Sequence, residues 1–202
     1  MIAIVDYGMG NLRSVAKALE AIGEEPRITA SPDDLRKASH IILPGVGAFG
    51  QCAANLRATG LVEALGEEVR DRGKPFLGIC VGMQLLVERS DEGGDDRGLG
   101  WFAGMVRRFD ASPDRKVPHM GWNDVEAAAD APMFKGMRNR VFYFVHSYFV
   151  DLADRAGVAA TCDYGVAFPA AMAIDNIWAV QFHPEKSQQN GLKLLQNFLT
   201  RV

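Results

Sequence analysis

The sequence predicts an α/β fold: a doubly wound, mostly parallel sheet flanked by helices, with additional antiparallel strands. Three observations predict it. In the N-terminal half, short apolar runs of strand length alternate with amphipathic stretches of helical spacing, the pattern of successive βαβ units. Three of those runs end in tight turns, at Gly8, Gly45 and Cys80. A doubly wound sheet with right-handed connections places its functional loops at such strand ends, so all three turns open on one edge. After Arg89 the pattern changes to short apolar runs between turn signals, which marks antiparallel strands.

Ile2–Val5 reads as a buried first strand, followed by the turn Tyr7-Gly8-Met9-Gly10-Asn11 and an amphipathic helix over Leu12–Ile22 that ends near Gly23. A second strand lies near Arg27-Ile28. Ser31-Pro32-Asp33-Asp34 starts a helix, with Ser31 as N-cap and Pro32 at the first helical position. His40–Leu43 is the next strand and runs into Pro44-Gly45-Val46-Gly47-Ala48-Phe49-Gly50. Leu61–Arg72 is a helix, Phe76–Ile79 a buried strand, and Val81–Glu88 has apolar residues at helical spacing. Asp91–Gly98 is acidic and glycine-rich, a solvated connection. Strands are then expected at Met105–Phe109, Val117–Met120, Val141–Phe144, Val158–Cys162, Ala171–Ile174 and Trp178–Phe182, and a closing amphipathic helix at Asn190–Thr200. No repeat, low-complexity segment or long linker interrupts the 202 residues, so one domain spanning residues 1–202 is expected.

Composition excludes several classes. The apolar fraction of 48% supports a sizeable core. A net charge of -3 gives no electrostatic footprint for nucleic acid or an anionic membrane. The three cysteines, Cys52, Cys80 and Cys162, are odd in number and widely spaced. That argues against a disulfide framework or a zinc site and for a reducing, cytoplasmic setting. The opening Ile2-Ala3-Ile4-Val5-Asp6 carries no basic region or cleavage site, so no signal peptide is expected. No apolar run is long enough to span a bilayer.

Gly78-Ile79-Cys80-Val81-Gly82 has the G-x-C-x-G form of a nucleophile elbow. A sharp strand-to-helix turn brings two backbones together and strains the nucleophile's own dihedrals, so neighbours without a Cβ relieve the clash. A thiol at a helix N-terminus is favoured as thiolate, its reactive form. The Val81 N–H points the same way and is a candidate oxyanion donor. A thiolate needs a base, and the base an orienter. Among four histidines, His40 begins a buried strand and reads as structural, whereas His119 and His146 follow short strands and suit a cleft. His183 ends the apolar strand Trp178–Phe182 and is followed by Pro184-Glu185. Residues two apart in extended chain share a face, so Glu185 would point with His183 and fix its tautomer. Pro44-Gly45-Val46-Gly47 is the candidate second oxyanion donor, because glycines let a peptide unit approach the thiol closely.

Pro44–Gly47, Gly78–Gln84 and Gln181-Phe182-His183-Pro184-Glu185 together resemble the class I, triad-type glutamine amidotransferases in order and spacing. The blocks Asp6–Ser14, Pro118–Asn123, Tyr143–Tyr148 and Gln181–Ser187 are similar to those of their subfamily, the glutaminase subunits of imidazole glycerol phosphate synthases. The resemblance implies a Cys80–His183–Glu185 triad attacking the carboxamide of L-glutamine. It implies an oxyanion hole from Val81 and the Val46–Gly47 peptide, and a glutamine pocket lined by Gly47, Gln84, Ser147 and Tyr148. It implies no metal and no cofactor. The implied partner is a (β/α)8-barrel cyclase in a heterodimer, which uses the ammonia in histidine biosynthesis. Asn11, Trp122, Asn123 and Lys186 are expected at that interface, on the edge carrying Cys80, and the partner's ligand is expected to switch the glutaminase on through the Val46 peptide.

Three other readings compete. A cysteine peptidase or chaperone-like protein on a related sheet would not need the His183-Pro184-Glu185 ending. A glutaminase serving a different synthase, for pyridoxal phosphate or anthranilate, would share the elbow but not the Tyr7–Asn11 and His119–Asn123 blocks. A non-catalytic nucleotide-binding module would use Gly8-Met9-Gly10 as a phosphate loop, but the last glycine of G-x-G-x-x-G is absent.

Overall fold

Strands buried on both faces read as unbroken apolar runs. Ile2–Val5, Phe76–Cys80 and Ile177–Val180 are buried at every position and form the middle of the main sheet. The computed structural model describes residues 1–93, 96–113 and 115–200. In chain order the elements are β1 (Ile2–Val5), α1 (Leu12–Glu20), β2 (Pro26–Thr29), α2 (Pro32–Lys37), β3 (His40–Gly45), α3 (Phe49–Ala58), α4 (Leu61–Leu65), β4 (Phe76–Cys80) and α5 (Val81–Gln84). Then come β5 (Val87–Ser90), β6 (Asp96–Arg97), β7 (Phe102–Arg108), β8 (His119–Asp124), β9 (Glu126–Ala127), β10 (Val141–His146) and β11 (Tyr148–Leu152). β12 (Val158–Asp163), β13 (Ala167–Ile174), β14 (Ile177–Val180) and α6 (Gln188–Leu199) complete the chain.

Among the described residues an eight-stranded sheet runs in the order β2-β1-β3-β4-β14-β13-β12-β9. It is parallel from β2 to β14 and antiparallel beyond. β10 pairs with β8, and β11, β7, β5 and β6 make a four-stranded sheet beside it. β14 lies parallel to β4 with Ala179 opposite Gly78 and Val180 opposite Ile79. The next residue, Gln181, therefore arrives beside Cys80. β10 alternates, burying Phe142, Phe144 and His146, as expected of a strand with one face on the core. No helix among the described residues is long and apolar enough to cross a membrane.

The expected strands and helices appear; β9 and β11 come in addition, and five further points differ. The helix expected over Val81–Glu88 lasts one turn, because the Leu85, Leu86 and Val87 carbonyls are taken by the N–H groups of Leu99, Trp101 and Gly100. The chain then enters β5, whose first two residues, Val87 and Glu88, fall in the stretch expected as helix. α3 was not anticipated, although its buried residues Phe49, Cys52, Ala53 and Leu56 have helical spacing; Gly50 within its first turn hides the pattern. The helix from Leu61 continues past Leu65 with wider, π-type hydrogen bonding over Gly66–Asp71. The solvated connection at 91–98 carries β6, and its residues 94 and 95 lie outside the described residues. Ser31 occupies the N-cap of α2, yet its side chain makes no capping bond.

Candidate active site

The elbow is built by the close packing of α5 on β3 and β4. A Cβ on Gly78 would stand 2.8 Å from the Gly82 carbonyl oxygen, and a Cβ on Gly82 would collide with the Leu43 carbonyl. Between them Cys80 adopts φ 54° and ψ -111°, a region that costs a side-chain-bearing residue about 1–3 kcal/mol. Its thiol is buried, at 4% exposure, yet it lines a cavity of about 640 Å³. A volume of this size fits an amino-acid-sized ligand. The helix behind the cysteine is only one turn, so few peptide dipoles align on the sulfur; the local N–H of Val81, on the same cavity wall, is the larger asset.

Val46 and Gly47 line the same cavity. The Val46 carbonyl accepts the Cys52 thiol at 3.4 Å, and across a trans peptide the Gly47 N–H then points away from Cys52. Gly47 sits at φ +94°, which favours glycine. The loop is further pinned by Tyr7, whose hydroxyl donates to the Pro44 carbonyl at 2.9 Å. Burial pushes the Tyr7 hydroxyl far up and the Cys52 thiol up to about 11, so both stay protonated.

His183 Nδ1 lies 2.8 Å from Glu185 Oε1, and both side chains are almost wholly buried. Sequence reasoning expected the pair on one face of an extended chain. Instead Pro184–Lys186 forms a 3-10 turn that folds the carboxylate back onto the ring. An ionised carboxylate only accepts, so Nδ1 carries the proton and Nε2 is the basic nitrogen. His183 Nε2 is buried and has no hydrogen-bond partner in the chain, and it lies on the cavity with Cys80. Burial lowers the imidazole pKa, but the nearby Cys80 thiolate and the Glu185 carboxylate outweigh it and raise the value to about 10.

The structure brings the other expected residues together in part. Gln84, Ser147, Tyr148, Asn11 and Lys186 all line the same cavity. Gln84, however, commits its Nε2 to the Tyr148 carbonyl at 3.1 Å and to Gln181 Oε1 at 3.0 Å. Trp122 is not core: it is 49% exposed and borders a neighbouring hollow with Asn139 and Ser187. Tyr143 bridges the two hollows, edge-on to Trp122 and under the Lys186 ammonium at 5.7 Å. Asn123 is half-buried, and its amide reaches His119 Nε2 at 3.3 Å and the Asp163 carbonyl at 3.1 Å. Tyr7, at the start of its turn, is likewise buried rather than on the outer edge. His40 packs edge-on against Phe198, in keeping with a structural role.

Two residues of the site escaped sequence reasoning. Glu92 lines the cavity and accepts the Phe49 N–H at 2.8 Å; nothing in its acidic loop singled it out. Gln181 donates to Cys80 Sγ at 3.6 Å, and its position two residues before His183, within the expected strand Trp178–Phe182, was the available signal. Among the described residues no group of three or more His, Cys, Asp or Glu is placed to hold a metal ion.

The comparisons with known proteins agree with this geometry. The model of the family described as glutamine amidotransferase class-I matches residues 3–202. "Imidazole glycerol phosphate synthase subunit HisH 1" of Campylobacter jejuni is 50% identical over 200 residues, covering 98% of this chain and 99% of that protein. Subunit HisH of Rhodopirellula baltica is 51% identical over 203 residues, covering 99% and 97%. Among solved structures, PurLQS from Thermotoga maritima matches the fold with a TM-score of 0.78 at 22% identity over 98% of this chain and 96% of that one. The glutaminase domain of CTPS from Trypanosoma brucei, with bound acivicin, matches with a TM-score of 0.68 at 20% identity, covering 100% and 94%. With nearly its whole length accounted for, this chain belongs to the class I glutamine amidotransferase family.

Proposed function

We propose that this chain is the glutaminase subunit of an imidazole glycerol phosphate synthase, with Cys80, His183 and Glu185 as its triad. The observation that carries the reading is the convergence on one cavity of a strained, buried cysteine and a histidine whose basic nitrogen is unpartnered and whose other nitrogen is held by a buried carboxylate. The half-identical HisH relatives support the choice of synthase.

In this mechanism the carboxamide of L-glutamine enters the cavity beside Cys80. The thiol proton passes to His183 Nε2, and the sulfur attacks the amide carbon. Negative charge on the carbonyl oxygen falls to the Val81 N–H and the Val46–Gly47 peptide. His183 then gives its proton to the departing nitrogen, ammonia leaves, and a glutamyl thioester remains. Water, deprotonated by the same nitrogen, hydrolyses the thioester to glutamate. Glu185 keeps Nδ1 protonated and steadies the imidazolium throughout. Gly47, Gln84, Ser147 and Tyr148 shape the substrate wall, and Glu92 places negative charge where an α-ammonium group can meet it.

Ammonia in neutral water is mostly protonated and no longer nucleophilic, so it has to pass through a sealed contact. The proposed recipient is a (β/α)8-barrel cyclase that makes imidazole glycerol phosphate and an aminoimidazole carboxamide ribotide from a phosphoribulosyl-formimino precursor. Asn11 and Lys186 on the cavity, the exposed Trp122 beside Tyr143 and the half-buried Asn123 form the proposed docking edge. Three free, buried cysteines suit a reducing cytoplasm. Steady-state glutaminase assays on the chain alone, with cyclase, and with cyclase plus its nucleotide ligand test the reading. Hydrolysis is expected to be slow alone and strongly accelerated, mainly in kcat, by the loaded cyclase, and absent in a folded Cys80→Ala variant. Equal kcat in all three conditions removes the coupling; activity in Cys80→Ala removes the mechanism.

A further inference from the structure

Behind the cysteine, away from the cavity wall, lies a fully buried amide, Gln181. It belongs to a line of three hydrogen bonds: Gln181 Nε2 to Cys80 Sγ at 3.6 Å, Gln84 Nε2 to Gln181 Oε1 at 3.0 Å, and Gln84 Nε2 to the Tyr148 carbonyl at 3.1 Å. The two ends of a side-chain amide are told apart by their partners. Here a main-chain carbonyl, which only accepts, ends the line. Gln84 must offer nitrogen to it. The second proton of that nitrogen faces Gln181, which must answer with oxygen. The NH2 group of Gln181 is thereby turned to the sulfur.

The Tyr148 carbonyl is anchored from its other side as well. His146 Nδ1 donates to it at 2.7 Å, which leaves His146 Nε2 to accept from His119 Nδ1 at 3.1 Å. His119 Nε2 in turn faces the Asn123 amide at 3.3 Å. Burial holds both imidazoles neutral, His119 lowered to about 4 and His146 to about 3, so the sense of this branch persists through the neutral range.

We propose that Gln181 is a further catalytic residue, donating its amide N–H to the Cys80 sulfur, and that Gln84 is the positioning residue that keeps it in the donor sense. This rests on the reading of Cys80 as the nucleophile. When the thiol proton moves to His183 Nε2, the sulfur becomes an anion in a buried place. Gln181 is the donor aimed at it from the side that substrate does not reach. Attack on the amide carbon turns the thiolate into a weakly accepting thioester sulfur, so the bond acts on thiolate formation rather than on C–N cleavage. The titratable groups around the sulfur are His183 with Glu185 behind it, Tyr7 and Cys52 held protonated, neutral His146, and Glu92 and Lys186 across the cavity. Replacing Gln181 alters none of them.

The test is the pH dependence of iodoacetamide alkylation of Cys80 in the full chain, followed by mass spectrometry. Gln181→Met removes the donor at similar volume. Its midpoint is expected to rise by about one pH unit, with alkylation about tenfold slower below the wild-type midpoint and converging with wild type above it. Gln84→Met, which frees the Gln181 amide to turn, is expected to move the midpoint the same way by less. A side chain that merely fills space would change the melting temperature and leave the midpoint in place. Midpoints equal to wild type in the folded variants overturn the proposal; if Gln181→Met does not fold, Gln84→Met decides alone. A wild-type Cys80 that reacts no faster than buried Cys162 overturns the nucleophile reading and this proposal with it, whereas fast wild-type alkylation with unmoved midpoints overturns this proposal only.

Discussion

Glu185→Gln keeps the shape of the side chain beside His183 and removes its charge. The bond it perturbs is 2.8 Å long and lies between side chains that are 2% and 1% exposed, so solvent does little to screen it. A hydrogen bond to a charged group contributes about 1.5–3 kcal/mol against roughly 1 kcal/mol for a neutral one. The charge therefore accounts for about 0.5–2 kcal/mol of imidazolium stabilisation, which corresponds to a rate loss of about 2–30-fold. This holds while the new amide presents its oxygen to Nδ1. Should it turn its NH2 group instead, Nδ1 becomes the acceptor, the basic nitrogen is lost, and the rate falls toward that of His183→Ala. The sign of the pH effect follows from the same pair. Burial lowers the His183 pKa, while the Cys80 thiolate and Glu185 raise it, to about 10. Without the carboxylate the value drops, so the imidazolium that protonates the leaving nitrogen is lost sooner as pH rises. The alkaline limb of kcat should move to lower pH. Glutamate release by the chain with the proposed cyclase, measured from neutral to alkaline pH, checks both. A variant with wild-type rate and an unmoved alkaline limb would make Glu185 a bystander.

Two further outcomes are expected. Gly82→Ala drives a methyl group into the Leu43 carbonyl, a backbone atom with no freedom to swing away; a loss of about 3 kcal/mol is expected from the chemical denaturation midpoint, and an unchanged midpoint contradicts the close packing of α5 on β3. Trp122→Ala removes a large exposed ring supported by Tyr143, and affinity for the cyclase should fall about 30-fold in titration calorimetry, as for a hot-spot residue of about 2 kcal/mol, while Cys80 of the isolated chain alkylates as before; unchanged affinity removes this ring from the interface.

Much of the site was legible because its parts are local in sequence. The elbow declares itself in five residues, Gly78 to Gly82, since the turn demands both glycines. His183 and Glu185 are near neighbours, and their contact was found although the 3-10 turn that makes it was not. What the sequence concealed depends on distant partners. Nothing near Leu85 announces that its carbonyl will be claimed by Leu99, so the short helix was drawn too long. Nothing near Gln84 says that both its protons are spent on Tyr148 and Gln181, residues 64 and 97 positions away. The partners of the Asn123 amide were not legible either, since the Asp163 carbonyl is met only across from β8 to β12. Glu92 reaches the cavity through a bond to Phe49, 43 positions distant, in the helix that was itself missed.

The register of β14 against β4, with Val180 opposite Ile79, has a consequence for how such a gene can change. Gln181 and His183 leave the sheet at alternate positions and Glu185 follows on the 3-10 turn after His183, so each owes its place to the count of residues since Ile177. A substitution there edits one group and leaves a graded phenotype. The gain or loss of one codon in this strand shifts every later residue to the other face. It would put Val180 or Phe182 against the sulfur and strand a glutamine, an imidazole and a carboxylate elsewhere, all in one event. Lineages can therefore exchange side chains in this strand by small steps, but not its length, and an in-frame single-codon insertion between Trp178 and His183 is expected to behave as a null allele even where the protein accumulates to normal levels.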